Sequence, residues 1–196
     1  MTTVHLQTFT GADALPYIED LGRLRIAVFA EFPYLYNGDL DYEREYLRTF
    51  FAARQSVLVL AKDGDTVVGA SAGLPLAEET DNIKQPFIDR GIEVSTVFYF
   101  SESVLLPAWR GQGLGQTFMD ERERWARANG FSIACFCAVV RPADHPRRPA
   151  HYRPLDEFWQ KRGFNKMENM LCYISWQDWD EAQESAKPLQ FWMKAL

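Results

Sequence analysis

The residues best suited to chemistry form a glycine-rich turn, Arg110-Gly111-Gln112-Gly113-Leu114-Gly115. The turn follows an apolar segment that predicts a strand, and it opens a segment of helical character. Glycine allows positive φ and a close approach of the backbone to a ligand. The first amides of the following helix lack internal acceptors, and the helix dipole favours negative charge beside them. The pattern therefore predicts an anion site that suits a diphosphate.

The spacing of the glycines excludes two familiar nucleotide sites. The dinucleotide fingerprint is Gly-x-Gly-x-x-Gly early in a β-α-β unit, with an acidic residue about twenty positions further on. Here the glycines alternate, and the turn lies past the middle of the chain. The phosphate-loop pattern, which ends in Gly-Lys-Ser/Thr, is also absent. Taken alone, the segment still allows an ordinary strand-to-helix turn that binds nothing.

Two segments together resemble one family. In Ser103–Gly115, a strand is followed by Pro, two residues and Arg/Gln-x-x-Gly-x-Gly/Ala, with Arg110 in the first signature position. Phe158–Phe164 is similar to a short helix that ends in aromatic-x-x-x-Gly-Phe. With the order of predicted elements, the chain resembles the GNAT superfamily of N-acetyltransferases over about residues 4–176. The family carries Tyr in its short helix at the position of Trp159.

The resemblance implies an α/β (α+β) fold with a mixed, mostly antiparallel central sheet, helices on both faces, and splayed fourth and fifth strands. It also implies acetyl-CoA as cofactor, with the pantetheine arm between those two strands, here 94–106 and 131–140. Backbone groups of the fourth strand would pair with the arm and polarise the thioester carbonyl. The cofactor-binding residues expected on this basis are Val104, Leu105, Leu106, Arg110, Gly111, Gln112, Gly113, Leu114, Gly115 and Gln116.

Acetyl transfer to an amine needs a group that removes a proton from the ammonium and a group that protonates the departing thiolate. Glu102 is the predicted base, because it lies in an apolar strand where the family often carries an acidic residue. The other interpretations are that Glu102 faces solvent or pairs with an arginine. Tyr152 is the predicted acid, with His145 and His151 as alternatives. The thiolate could also leave unassisted or take a proton from water.

The remaining elements predict one domain over residues 1–196, with a core at about 4–176 and a C-terminal extension at 177–196. The apolar tail 188–193 could dock on its own domain or on a second subunit, which allows a homodimer. The predicted strands are 4–9, 56–61, 66–74, 94–106, 131–140 and 171–176. The predicted helices are 14–29, 41–54, 115–129 and 155–162, and residues 141–154 predict a proline-rich loop.

Composition limits the partners. The formal net charge of −6 argues against nucleic acid, and no apolar run is long enough to span a membrane. The three cysteines have no disulfide or metal spacing, so we expect no metal and a cytoplasmic location. The proline-rich loop carries four arginines: Arg141, Arg147, Arg148 and Arg153. They could bind a ligand, either an acceptor carboxylate or the 3′-phosphate of CoA, or they could form internal ion pairs.

The predicted activity is acetylation of a primary amine of a small molecule or peptide by direct transfer. One alternative is a non-catalytic acyl-CoA-binding or regulatory module on the same fold, because the usual tyrosine is replaced by Trp159. Another is a structural or interaction protein in which the glycine turn is only a turn. Nucleophilic catalysis by Cys135 or Cys137 is disfavoured, because an apolar setting raises the pKa of a thiol.

Overall fold

The fold is built on one mixed sheet. In the computed structural model, which describes residues 4–196, the strands lie in the order β1-β2-β3-β4-β5-β7-β6. All neighbouring strands are antiparallel except β4 and β5, which are parallel. The strands are β1 (Val4–Thr10), β2 (Val57–Asp63), β3 (Thr66–Pro75), β4 (Val97–Leu105), β5 (Ile133–Val139), β6 (Asn165–Trp176) and β7 (Ser185–Ala195).

The helices connect these strands. They are α1 (Ile18–Phe29), α2 (Leu40–Ala52), α3 (Asp81–Ile88), α4 (Leu114–Ala128) and α5 (Asp156–Lys161). The helix predicted from residue 14 becomes α-helical only at Ile18, after a 3-10 segment that contains Pro16. Proline has no amide to donate and its ring clashes with the carbonyl four residues earlier, so it disfavours regular α-helix beyond the first turn. None of the helices among residues 4–196 is long and apolar enough to cross a membrane.

Helices cover both faces of the sheet, as the resemblance implies. Leu21 of α1, Leu47 of α2 and Phe87 of α3 are fully buried in one hydrophobic cluster. Phe118 of α4 is buried in a second cluster, against which Trp159 of α5 also packs. Full burial of a large apolar side chain is worth about 1.5–3 kcal/mol, so each cluster anchors its helices to the sheet. The predicted fold class is confirmed.

Strands β4 and β5 separate shortly after they meet. Their parallel pairing extends only from Val97 to Tyr99, although β4 continues to Leu105. On the other side of β4, Ala72 of β3 pairs with Glu102 while Leu74 pairs with Tyr99. Two residues of β4 therefore oppose one of β3, which is a β-bulge and bends the strand. The predicted splay of the fourth and fifth strands is confirmed, and Glu102 lies just beyond the point of separation.

The C-terminal segment is a central strand and not an extension of the core. Strand β7 lies between β5 and β6, and its Phe191 and Trp192 are almost completely buried. The sequence boundary at 176 missed this strand because Pro188 interrupts its apolar pattern. Pro188 lies just beyond the last pair of the ladder between β5 and β7, Val139 with Leu189, and its carbonyl accepts from the amide of Val140 on that side. At the end of a ladder a residue without an amide is tolerated. The tail therefore docks on its own domain. The homodimer stays a prediction, but the apolar tail no longer supports it.

Candidate active site

The glycine turn has the geometry of an open anion cradle. A 3-10 turn, Pro107–Trp109, follows β4, and Gly113 is the N-cap of α4. Gly111 and Gly113 have φ of 75° and 86°, a left-handed region that other residues rarely adopt. A Cβ atom added at either glycine would meet nothing within 4 Å. The glycines are therefore required by the backbone conformation, and the space above the turn is free.

The amides of this turn are available to a ligand. The amides of Trp109 and Arg110 donate to carbonyls within the 3-10 turn, and the amide of Thr117 donates to the carbonyl of Gly113. Among residues 4–196, no acceptor is bound by the backbone amides of Gly111–Gln116. These amides stand at the positive end of a helix of 15 residues. The arrangement can bind a doubly or triply charged phosphate group.

The side chain of Arg110 points away from this cradle. Its Nε donates to the carbonyl of Leu105 at 3.0 Å, and its two terminal nitrogens donate to the carboxylate of Glu31 at 2.8 and 3.2 Å. Both side chains are more than two-fifths exposed, so this ion pair is worth at most about 1 kcal/mol. Arg110 thus links the end of β4 to the loop between α1 and α2.

The open edge of β4 carries a different set of backbone groups from the one predicted. The amide of Leu106 donates to the carbonyl of Val68 on the β3 side at 3.0 Å. Hydrogen-bonded and non-bonded pairs alternate along an antiparallel ladder, so the backbone groups of Val104 also face β3. The prediction that backbone groups of Val104 and Leu106 pair with the pantetheine arm is therefore wrong. Leu105 and Ser103 present their backbone groups to the gap.

Glu102 lies at the centre of a buried ionic cluster. Its side chain is 2% exposed, and its Oε2 accepts hydrogen bonds from Nη1 of Arg25 and, at 3.0 Å, from Oγ of Ser101. Nε of Arg25 donates to Oε2 of Glu43 at 2.5 Å. The Glu43 side chain is fully buried. Pairing with an arginine was one interpretation of Glu102, and the structure shows that pair.

The guanidinium of Arg25 also contacts two aromatic rings. Its guanidinium carbon lies 5.2 Å from the ring centre of Phe29 and 4.8 Å from that of Tyr46. Burial acts to lower the pKa of Arg25, but the negative charge of Glu102, together with Tyr46 and Glu43, raises it above its ordinary value. Arg25 therefore stays charged.

On the face of the sheet that carries the Glu102 side chain, the cluster has two carboxylates for one guanidinium, and one carboxylate oxygen is an unused acceptor. It contains the carboxylates of Glu43 and Glu102 but one guanidinium. Among residues 4–196, Oε1 of Glu102 is buried and has no hydrogen-bond partner. Glu43 lies beside the Tyr36 hydroxyl, whose pKa is raised first by burial and then by Glu43. An unsatisfied buried polar atom costs about 1–3 kcal/mol, and more when it is charged. Burial also raises the pKa of nearby Glu79. The site therefore favours a cation that can donate hydrogen bonds.

Arg122 supports β4 from the opposite face of the sheet. Its side chain, from α4, is buried and donates to the carbonyls of Ala72 at 3.3 Å and Glu102 at 3.0 Å. It also donates to Oγ of Ser103 at 2.7 Å. These bonds satisfy backbone groups next to the bulge, where the regular ladder is interrupted. Arg122 thus helps to fix the backbone from which the Glu102 side chain extends.

Tyr152 lies in the proline-rich loop against the loop between α1 and α2. Its ring packs edge-on against Phe32 with centroids 4.8 Å apart, and Arg148 lies over it at 4.9 Å. Burial raises its pKa. The pKa of Tyr34 is also raised, chiefly by burial and then by Cys137, with contributions from Glu102 and Tyr152. The ring of Tyr34 packs on Phe29 with centroids 4.5 Å apart, and Phe29 in turn lies beside the Arg25 guanidinium.

Two arginines of the proline-rich loop are used in internal ion pairs, which was one of the two expectations. Arg141 is paired with Asp178 at 2.8 Å and donates to the carbonyls of Pro33 and Tyr34. Arg147 is paired with Asp180 at 3.0 Å. The Arg141 contacts join three loops on one side of the sheet.

The remaining candidates pack in the core. Cys135 and Cys137 are buried free thiols, and their pKa values are raised, for Cys137 first by its contact with Cys172 and for Cys135 by burial. A thiol with a raised pKa is a poor nucleophile. Trp159 packs on Phe136 and Trp192 with ring centroids 4.9 and 5.2 Å away. Within residues 4–196, no group of three or more His, Cys, Asp or Glu side chains could hold a metal.

Sequence reasoning missed Arg25 and Glu43. Both lie on amphipathic helices, where charged residues usually face solvent. A signal was present in α2, because Glu43, Leu47 and Phe50 recur at helical spacing on one face, and all three are buried. A carboxylate on an apolar helix face needs a buried partner, and Arg25 is that partner.

Comparison with known proteins agrees with this fold and site. The model of the acetyltransferase (GNAT) family matches residues 24–164, which include α1, the splayed strands, the glycine turn and α5. The chain belongs to this family and is an acyltransferase. Among curated proteins, none matches the chain by sequence.

Several solved structures share the whole fold. A ribosomal-protein-alanine N-acetyltransferase from Brucella melitensis is 16% identical, with a TM-score of 0.61 and coverage of 98% of this chain and 99% of that one. The PaiA N-acetyltransferase from Thermoplasma acidophilum, solved with coenzyme A, is 11% identical, with a TM-score of 0.59 and 99% coverage of both. YncA from Salmonella typhimurium, solved with acetyl-CoA, is 12% identical, with a TM-score of 0.60 and coverage of 99% and 94%.

Proposed function

We propose that this protein transfers an acetyl group from acetyl-CoA to a primary amine of a small molecule or a peptide, by direct transfer. One observation carries the proposal: a turn with a run of free amides and a buried carboxylate, Glu102, lie on the same splayed strand and its continuation. The membership in the acetyltransferase family supports it. So do the coenzyme A and acetyl-CoA named for two proteins of the same fold.

The glycine turn and the end of β4 would bind different parts of the cofactor. Amides of Gly111–Gln116 would hold the pyrophosphate, because they are free and lie at a helix N-terminus. Leu105 would pair with the pantetheine arm through its backbone amide, because its carbonyl already accepts from Arg110. When bound, acetyl-CoA supplies the activated acetyl group. Arg110 would act indirectly, by holding the end of β4 through the Leu105 carbonyl.

Proton transfer is assigned to two side chains, Glu102 and Tyr152. Glu102 would accept a proton from the acceptor's ammonium group, which turns the amine into a nucleophile. Tyr152 would donate a proton to the departing thiolate. The two carboxylates that share one guanidinium on this face of the sheet support a cationic acceptor.

The three free, buried cysteines support a reducing compartment, and we propose the cytoplasm. One observation favours the alternative, a non-catalytic acyl-CoA-binding module. Trp159, at the position where the family carries tyrosine, is used for packing and has no acidic proton.

Two measurements test the proposal. Binding of acetyl-CoA should raise the melting temperature, since a ligand at 100 times its Kd stabilises the fold by about 2.7 kcal/mol. Release of free thiol from acetyl-CoA should then depend on an added amine. The absence of any thermal shift would overturn the CoA site. A shift without turnover on small amines or peptides would favour the binding module over the enzyme.

A further inference from the structure

Arg25 and Glu102 are 77 residues apart, but one guanidinium connects α1, α2 and β4. Nη1 of Arg25 reaches Oε2 of Glu102, and Nε reaches Oε2 of Glu43. The rings of Phe29 and Tyr46 lie beside the same guanidinium. The Arg25 side chain is only 12% exposed. The group is therefore held by two charged partners and two rings, in one orientation.

We infer that Arg25 is a positioning residue for acetyl transfer: it holds Oε2 of Glu102, so that Oε1 is the oxygen that receives the acceptor's proton. The inference rests on the proposed function, because it concerns the base of that reaction. It adds a residue from α1, outside both segments that carry the family resemblance. It also assigns the two oxygens of Glu102 to different tasks.

The hydrogen bonds divide the carboxylate in this way. Oε2 accepts from Arg25 and from Ser101, whereas Oε1 has no partner among residues 4–196. The Oε2 contacts fix the side-chain torsions of Glu102, and charge-assisted bonds to arginine are among the strongest in proteins. With Oε2 engaged, an ammonium that enters the cluster finds its acceptor at Oε1.

Glu43 holds Arg25 in the orientation that binds Glu102. By accepting from Nε, it fixes the second edge of the guanidinium, so that Arg25 cannot turn away from Glu102. It also places a second carboxylate beside the one guanidinium on this face of the sheet, which favours an incoming ammonium. A single glutamate with a single arginine would be neutral and would attract a cation less strongly.

A purely structural role is the competing explanation, since the same contacts fasten α1 and α2 to β4. The two explanations differ in a double-mutant cycle on kcat. If Arg25 acts through Glu102, Arg25→Met should lower kcat by about 100-fold, which is the cost of a misplacement near 1 Å. In the Glu102→Gln background the same substitution should cost less than about threefold, because there is no base left to position.

The probe amine is whichever of lysine methyl ester, tyramine and an alanine-initiated hexapeptide gives the highest rate of thiol release. The KM for acetyl-CoA should stay within about twofold of wild type in Arg25→Met. Arg25→Lys should recover part of kcat, because an ammonium can reach one carboxylate but not hold both. Arg23→Met is the matched control: Arg23 lies on the same helix, is 64% exposed and pairs with Glu19, so kcat should not change.

Loss of a buried charge can unfold a protein, so Arg25→Met/Glu43→Gln is measured in parallel, because it removes one charge of each sign. Independent of activity, nitrogen-15 NMR of the arginine side chains should show that Glu102→Gln shifts the Nη signals of Arg25 and Glu43→Gln shifts its Nε signal. The inference is overturned if the fold-losses of kcat in Arg25→Met and Glu102→Gln multiply in the double variant. It is also overturned if Arg25→Met has the kcat of wild type. If none of the three amines is acetylated, the proposed function itself fails, and the inference falls with it.

Discussion

The clearest prediction concerns Gly113→Ala, with Gly64→Ala as its matched control. Gly113 has φ of 86° in the glycine turn, and Gly64 has φ of 57° in the hairpin between β2 and β3. An added Cβ meets nothing within 4 Å at either position. The two substitutions therefore impose the same kind of cost, a left-handed conformation on a residue with a side chain, without a steric clash.

The magnitude follows from that conformation. A left-handed residue other than glycine costs about 1–2 kcal/mol. For a chain of this size, each kcal/mol lowers the melting temperature by about 2–4 °C, so both variants should melt about 2–8 °C below wild type. Only Gly113→Ala also disturbs the amides at the start of α4. Loss of one hydrogen bond to a charged phosphate costs about 1.5–3 kcal/mol, so acetyl-CoA should bind about 10- to 100-fold more weakly.

The assay is calorimetric titration of acetyl-CoA into wild type and both variants, after each melting curve has confirmed a folded protein. We expect a weaker Kd for Gly113→Ala and an unchanged Kd for Gly64→Ala. A wild-type Kd in both variants would refute the assignment of the cofactor site to this turn. A large and equal loss in both would show that affinity follows general stability and not the turn.

Three further results are expected. Tyr152→Phe should lower kcat by about 10²-fold or more if its hydroxyl protonates the thiolate, and an unchanged kcat would remove it from the mechanism. The pKa of Glu181 is lowered to about 2, chiefly by its bond to Lys187, from a model-compound value of 4.5. Its contribution to stability is complete above pH 4.5 and is lost as the pH falls towards 2. Between these pH values the melting temperature of Glu181→Gln should therefore fall less steeply than that of wild type, and an equally steep fall would contradict this. Trp192→Ala should cost about 3–5 kcal/mol in chemical denaturation, because Trp192 is 1% exposed in a central strand, and a loss below about 1 kcal/mol would contradict that placement.

Local features of the fold were readable from the sequence. The glycine turn depends on alternating glycines after Pro107 and before a helix, and each of these signals acts within a few residues. Its open amides follow from the start of any α-helix. The splay of β4 and β5 was not readable from periodicity, but the resemblance to the family implied it, and the short pairing of the two strands confirms it.

The partners of these features depended on tertiary structure. Glu102 was identified on β4, but its arginine comes from α1. Arg25 follows the buried Ile18 and Leu21 at helical spacing, which marks it as buried but does not name its partner. Strand β7 was missed because Pro188 interrupts its apolar pattern, and only the register with β5 shows that Pro188 lies at the end of a ladder. The direction of Leu105 towards the gap depends on the register between β3 and β4. Local conformation follows from neighbouring residues, whereas an ion pair, a strand order or a register is set by the packing of segments far apart in the chain.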